Sequence, residues 1–347
     1  MPIIDADAHV VETDRTWDFM DEADQAFRPD TVVSNNPNAP KRLREFWRID
    51  GRFFARRVFD VEHTGTTDET RELQSIEKRL RHMDQLGVDV HVLYPTVFLS
   101  PITTRPEVEV ALHKSYNRWM ADIWSKGEGR LLWAALAPTL DMEKAVAEVR
   151  WAKNNGACAI FIRGLEGGRV LSSPYFFPLY EEAVKLDMPV CIHSGNGSFA
   201  LDDVAAADTA IMYRAKFSAL GAFHEIILAG LPQRFPGLRI GMIETSASWV
   251  PYLSHDLAAR YQRMFSRKFE GNLLKENRVW VACLTDDDLP YVLQYAGEDN
   301  LVIGSDYGHA DTSSEIDAIR KLKTDGKVPA RAIDKILDDN ARVLYGL

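Results

Sequence analysis

Short apolar runs alternate with longer amphipathic stretches along the chain. The first run, Ile3-Ile4-Asp5-Ala6-Asp7-Ala8-His9, turns polar at its end, as a buried parallel strand does where it delivers side chains to the mouth of a site. From Glu69 onward, Leu73, Ile76, Leu80 and Met83 recur at threes and fours. That spacing predicts a helix, stopped at Gly87. The run His91-Val92-Leu93-Tyr94-Pro95 predicts a second strand and residues 106–124 a second helix. The alternation then repeats, with strands at 131–136, 157–162, 189–193, 238–244, 279–283 and 300–304. Helices are predicted between most of them, at 142–152, 177–186, 205–228 and 251–264, with two short ones closing the chain near 315–322 and 331–344. Eight strands in strand-then-helix order predict an α/β fold, a parallel sheet closed into a (β/α)8 TIM barrel.

Residues 10–68 break this rhythm. They are rich in turn formers (Asn35-Asn36-Pro37-Asn38-Ala39-Pro40) and carry Trp17, Trp47, Phe53 and Phe54. A long aromatic-bearing excursion after the first strand is uncommon unless it has a job. It reads as a cap-like insertion in one barrel domain spanning 1–347, a length such barrels reach as a single unit.

Composition narrows the partners. Hydrophobic residues make up 46% and charged residues 27% of the 347 positions, an ordinary globular balance. A formal net charge of −10, with only short basic clusters (Lys41-Arg42-Leu43-Arg44 and Arg56-Arg57), argues against nucleic acid or an acidic membrane as partner. No apolar run is long enough to span a bilayer, and no basic-then-apolar leader opens the chain. Cys158, Cys191 and Cys283 each lie in an apolar run, which reads as reduced thiols and a cytoplasmic setting.

In such barrels the C-terminal strand ends carry the chemistry. Here the first strand ends at Asp7 and His9, the fourth at Arg163, the fifth at His193, and the sixth at Glu244. The seventh runs toward Asp286 and the eighth ends at Asp306. Asp7 and His9 lie on one side of their strand, and closure of the ring brings the eighth strand beside the first. Asp7 could instead cap a turn and His9 pack at a core edge, but convergence of so many polar strand ends favours a metal. Asp7, His9, His193 and Asp306 form a mixed nitrogen and oxygen set, suited to zinc or manganese. No dinucleotide or phosphate-loop glycine fingerprint follows any strand, and Arg163-Gly164-Leu165-Glu166-Gly167-Gly168 lacks that spacing. His224 and His255 fall on predicted helices and read as structural.

Asp5-Ala6-Asp7-Ala8-His9-Val10-Val11-Glu12 resembles the opening motif of the amidohydrolase superfamily, in the branch typified by aminocarboxymuconate-semialdehyde decarboxylase and gamma-resorcylate decarboxylase. Phe235-Pro236-Gly237-Leu238-Arg239-Ile240, Gly304-Ser305-Asp306-Tyr307 and Asp339-Asn340-Ala341-Arg342-Val343-Leu344-Tyr345-Gly346 resemble its later landmarks. The resemblance implies a metal-dependent barrel enzyme in which Asp7, His9, His193 and Asp306 hold one divalent ion. It also implies a small carboxylate substrate and, by analogy, a homodimer or higher homo-oligomer. One departure stands out: the sixth strand of the decarboxylases typically ends in a histidine, and here Glu244 stands there.

The chemistry expected is metal-assisted decarboxylation of a small cyclic or aromatic carboxylate, with Asp306 or Glu244 protonating the ring carbon. Hydrolysis of a lactone, amide or C–C bond is the alternative, with Asp306 taking a proton from water. Glu244 would do acid–base work if Met242, Ile243 and Trp249 raised its pKa, or would bind backbone or Arg163. Arg163 could clamp a substrate carboxylate or close a loop salt bridge, and His309 could transfer protons or support Asp306. Two rivals remain: a metal-binding barrel without catalysis, and an open nucleotide-binding sheet.

Overall fold

The computed structural model describes residues 2–36, 44–56, 61–204, 208–266, 268–269, 271–310 and 312–347. After β1 (Ile4–His9) come three short strands, β2 (Asp30–Val33), β3 (Glu45–Ile49) and β4 (Arg52–Ala55), which pair antiparallel in a sheet of their own. The chain then lays down β5 (Val90–Tyr94), β6 (Leu131–Leu136), β7 (Ala157–Arg163), β8 (Val190–His193), β9 (Ile240–Ile243), β10 (Val279–Cys283) and β11 (Leu301–Ile303). With β1 they form an eight-stranded sheet in the order β1-β5-β6-β7-β8-β9-β10-β11, paired in parallel throughout. All eight predicted strands are present. They read so plainly because each is buried on both faces, as in β7 where every residue is buried, and so must be apolar almost without interruption.

The ring closes through the segment just beyond β11. The Asp306 amide donates to the Asp7 carbonyl (2.9 Å) and the His9 amide to the Tyr307 carbonyl (2.8 Å). The Ser305 amide donates to the Asp5 carboxylate at 3.0 Å. The fold is therefore a nearly closed (β/α)8 barrel. One irregularity lies at its first strand: Asp5 pairs with His91 and Ala8 with Leu93, so Ala6 and Asp7 together oppose Val92. Such a bulge re-aims side chains beside a site.

Two predicted helices are shorter than their periodicity. The pattern from Glu69 divides into Asp68–Arg71 and Ile76–Leu86, because Leu73 takes a left-handed conformation (φ 51°). Ser75 caps the second piece by accepting the Lys78 amide, and Gly87 ends it at φ 72°. Of the stretch predicted as one helix over 205–228, residues 205–207 lie outside the described residues. The remainder begins with a 3-10 turn, Asp208–Ala210, and continues through a π-helical turn, Tyr213–Phe217, into Ser218–Leu228.

The described residues of the 10–68 segment dock through aromatics: Trp47 of β3 meets Trp17 edge-on at 5.7 Å, and Trp17 meets Phe98 beyond β5 at 6.3 Å. Arg52 of β4 lies over the Phe199 ring, which follows β8, at 3.9 Å. Residues 37–43 and 57–60, including Pro37-Asn38-Ala39-Pro40, Lys41-Arg42-Leu43 and Arg57 of the basic clusters, lie outside the described residues. Arg56 stacks on Trp47 at 4.9 Å and reaches Glu45 at 3.5 Å. Cys158, Cys191 and Cys283 are buried and unbridged. Among the described residues, no helix is long and apolar enough to cross a membrane.

The seam predicts a sensitive position. A Cβ at Gly304 would stand 2.4 Å from Asp7 Cβ, inside the space that closure requires. Gly304→Ala should destabilise the fold by about 1–3 kcal/mol, read as a lowered denaturant midpoint, and should weaken divalent-ion binding. An unchanged midpoint together with unchanged binding would contradict the seam as described.

Candidate metal centre

Closure brings six buried side chains together at the mouth: Asp7 and His9 from β1, His193 from the end of β8, Glu244 just beyond β9, and Asp306 and His309 beyond β11. His9 Nε2 lies 3.4 Å from Asp7 Oδ1, 3.4 Å from Asp306 Oδ1 and 3.5 Å from Glu244 Oε2. His193 Nε2 lies 3.3 Å from Asp7 Oδ1, and its Nδ1 is 3.6 Å from Glu244 Oε2. His309 Nδ1 lies 2.7 Å from Asp306 Oδ1.

The backbone fixes which nitrogen each ring presents. His9 Nδ1 lies 2.9 Å from the Pro95 carbonyl, and His193 Nδ1 lies 3.0 Å from the Ser194 carbonyl. A carbonyl only accepts, so both Nδ1 atoms carry hydrogen and both Nε2 atoms face the carboxylates, where a proton or a cation would sit. Two imidazole nitrogens face carboxylate oxygens, and among the described residues the buried His9 Nε2 and Glu244 Oε2 make no hydrogen bond, an arrangement whose charges a cation would balance. Burying several carboxylates together is costly unless positive charge joins them. The residues present therefore fit a divalent ion.

The electrostatics agree. Burial alone would raise Asp7, yet His193 and His9 hold it well below the usual carboxylate range. Burial alone would lower His9, but Asp7, Glu244 and Asp306 raise it well above an ordinary histidine. Below the site, burial pushes Asp5 up to about 7 against the hydrogen bonds it accepts from Ser305. His91 Nε2 lies 3.6 Å from Asp5, and the His91 ring is held by Arg79 Nε at 3.1 Å.

The ligand-capable atoms form two overlapping groups: Asp7, His9, His193 and Glu244, and His9, Glu244, Asp306 and His309. The four residues singled out in the sequence thus meet in one cluster, but Asp306 groups with His309 and not with His193. Glu244 belongs to both groups. It faces His9 and His193, while Arg163 pairs with Glu166.

Glu244 and Asp306 share a backbone peculiarity, left-handed conformations with φ of 57° and 51°. Each costs a non-glycine residue about 1–3 kcal/mol and persists where the surroundings over-determine it. At Glu244 the constraint comes from Asp287, whose carboxylate accepts the amides of Ala247 (2.8 Å), Ser248 (3.0 Å) and Leu284 (2.8 Å) and the Ser246 hydroxyl (2.5 Å). Asp286 stays outside the cluster and lines a side cavity of about 490 Å³.

Arg163 also departs from the substrate-clamp expectation. It is buried, its Nε and Nη2 pair with Glu166 at 3.0 and 2.6 Å, and its Nη1 donates to the carbonyls of Phe98 (3.2 Å) and Ser100 (2.8 Å). Four of its five donors are committed within the protein, so the loop salt bridge is the arrangement found. His224 pairs with Asp256 at 2.9 Å and His255 with Tyr295 at 3.1 Å, both away from the cluster. Glu12 and Asp287 were missed because they hold backbone, and Thr96 because it bonds a backbone carbonyl and a neighbouring ring, none of which leaves a signature at a strand end.

Comparison with known proteins places this barrel in a family. An amidohydrolase family model matches residues 4–347, and the chain belongs to that family. Among characterised relatives, 2-amino-3-carboxymuconate-6-semialdehyde decarboxylase of Dictyostelium discoideum is 22% identical over 291 residues, covering 78% of this chain and 76% of the relative. An amidohydrolase from Mycobacterium avium subsp. paratuberculosis K-10 superposes with a TM-score of 0.78 at 20% identity, covering 99% of both chains. The 5-carboxyvanillate decarboxylase of Novosphingobium aromaticivorans, solved with manganese and 4-hydroxy-3-methoxy-5-nitrobenzoic acid, superposes at 0.68 with 20% identity, covering 100% of this chain and 96% of that one.

An ion arriving at His9 Nε2 must displace the proton that the carboxylates hold there. Because His9 is raised above its ordinary value, the proton competes at and above the usual histidine range, and ion affinity should climb with pH through that range. Calorimetric titration of metal-free protein in two buffers of different ionisation enthalpy should show about one proton released per ion. Identical heats in the two buffers would contradict this.

Proposed function

We propose that the chain is a metal-dependent carboxy-lyase acting, without oxidation, on a small hydroxylated aromatic or cyclic carboxylate. The observation that carries this reading is the buried cluster of two imidazoles whose Nε2 atoms face carboxylates, three of them around His9. It sits at the barrel mouth of a chain whose relatives include decarboxylases. Asp7, His9 and His193, together with Glu244 or Asp306, would hold the ion, for which zinc and manganese both suit the donor set. When bound, such an ion supplies positive charge to a substrate carboxylate and a neighbouring oxygen.

The remaining steps belong to the protein. Asp306, supported by His309 Nδ1 at 2.7 Å, delivers a proton to the ring carbon that bears the carboxylate. The C–C bond to that carboxylate then breaks, its electron pair returns to the ring, and carbon dioxide leaves. Glu244 keeps a carboxylate where the decarboxylases resembled by the sequence typically have a histidine. It contributes charge to the cluster, which makes it a ligand in this reading more than a shuttle. In this reading the described residues of the 10–68 insertion would cap the single barrel domain, with Arg52 over Phe199 at the edge. The reading includes a cytoplasmic homodimer or larger homo-oligomer.

The test is a substrate panel with the metal-loaded protein. Carbon dioxide release from 5-carboxyvanillate or dihydroxybenzoates, with no turnover of lactones or amides, is expected. Hydrolysis of lactones or amides without carbon dioxide release would replace the lyase reading, and bound metal with no turnover would favour a non-catalytic barrel. Glu244→Gln should lower metal affinity about 10–100-fold, measured by competition with a chelator. If affinity held and only the pH–rate profile moved, Glu244 would be the proton carrier instead.

A further inference from the structure

The loop after β5 is held residue by residue. The Pro95 carbonyl meets His9 Nδ1 at 2.9 Å. The amides of Thr96 and Val97 both donate to the Glu12 carboxylate at 3.0 Å. The carbonyls of Phe98 and Ser100 accept from Arg163, and the Leu99 carbonyl accepts the Asn196 amide at 3.2 Å. Six consecutive residues are thus fixed by four residues from three other parts of the chain, a degree of anchoring that a connecting loop does not need for its own sake. What this rigid carriage presents is the Thr96 side chain, whose Oγ1 lies 2.7 Å from the Val10 carbonyl and 2.8 Å from His309 Nε2.

Hydrogen counting settles the direction of these two bonds. The threonine hydroxyl has one hydrogen, and the Val10 carbonyl can only accept it. The oxygen must then accept from His309, which places a hydrogen on Nε2. The other edge of the ring, Nδ1, is thereby turned to Asp306, while the ring face stacks on His9 with centroids 3.9 Å apart. We propose that Thr96 is a positioning residue for His309, fixing a proton on its Nε2 and presenting its Nδ1 to Asp306. Glu12 and Arg163 act at one further remove by holding the loop that carries Thr96. The hydrogen placement stands on geometry alone; only its consequence for turnover rests on the decarboxylase reading.

The direct test is side-chain NMR of the zinc-loaded protein labelled with 15N-histidine, the His309 signals being identified by their loss in His309→Gln. In the parent protein the His309 Nε2 should carry hydrogen. Thr96→Val should move that resonance and release the ring into a mixture of forms, and Thr96→Ser should restore the parent spectrum. A bare Nε2 in the parent overturns the proposal without any variant. So does a Thr96→Val protein with native circular dichroism and unchanged His309 signals. If the protein decarboxylates 5-carboxyvanillate, Thr96→Val should lower kcat about 10–100-fold at nearly constant KM, with Thr96→Ser close to the parent. Absence of turnover on every substrate would sink the decarboxylase reading while leaving the NMR result to decide the role of Thr96.

Discussion

The hydrogen bond from the Asp306 amide to the Asp7 carbonyl joins two ends of the chain separated by some three hundred residues, and the candidate centre depends on it. Closing the ring is what brings the carboxylates of Asp7 and Asp306 to the same imidazole, His9. Glu244 reaches that imidazole from β9, across the ring. Gathering three carboxyl groups in a buried pocket opposes their ionisation unless positive charge accompanies them. Barrel closure therefore creates the charge problem that a bound cation would relieve.

The support around the centre follows from the same problem. Two of the three carboxylates stand on left-handed backbone, which neighbouring groups must hold in place. Asp287 gathers the loop beyond Glu244, Asp5 ties Ser305 beside Asp306, and Glu12 and Arg163 brace the loop after β5. These are buried side chains spent on backbone groups, the usual way a site on loops acquires the rigidity of its scaffold.

The barrel was legible because parallel strands covered on both faces are nearly unbroken apolar runs, and the polar ends of those runs marked Asp7, His9, His193, Glu244 and Asp306. The small sheet of β2, β3 and β4 was not, since its strands are short and half exposed and lack a steady alternation. The bulge at Ala6 and Asp7 and the break at Leu73 are set by tertiary contacts that no period reveals. Arg163 shows the limit of reading residue types: a guanidinium at a strand end suits a substrate carboxylate and an internal glutamate equally well. Only the position of Glu166, three residues on, decides between them.

The measurement that bears most directly on this account is anomalous diffraction at the manganese edge from crystals of the protein grown with that ion. The account predicts an anomalous peak within bonding distance of His9 Nε2 and His193 Nε2 and of at least one oxygen among Asp7, Glu244 and Asp306. A well-ordered barrel with no peak there, or with its ion bound elsewhere, would contradict it.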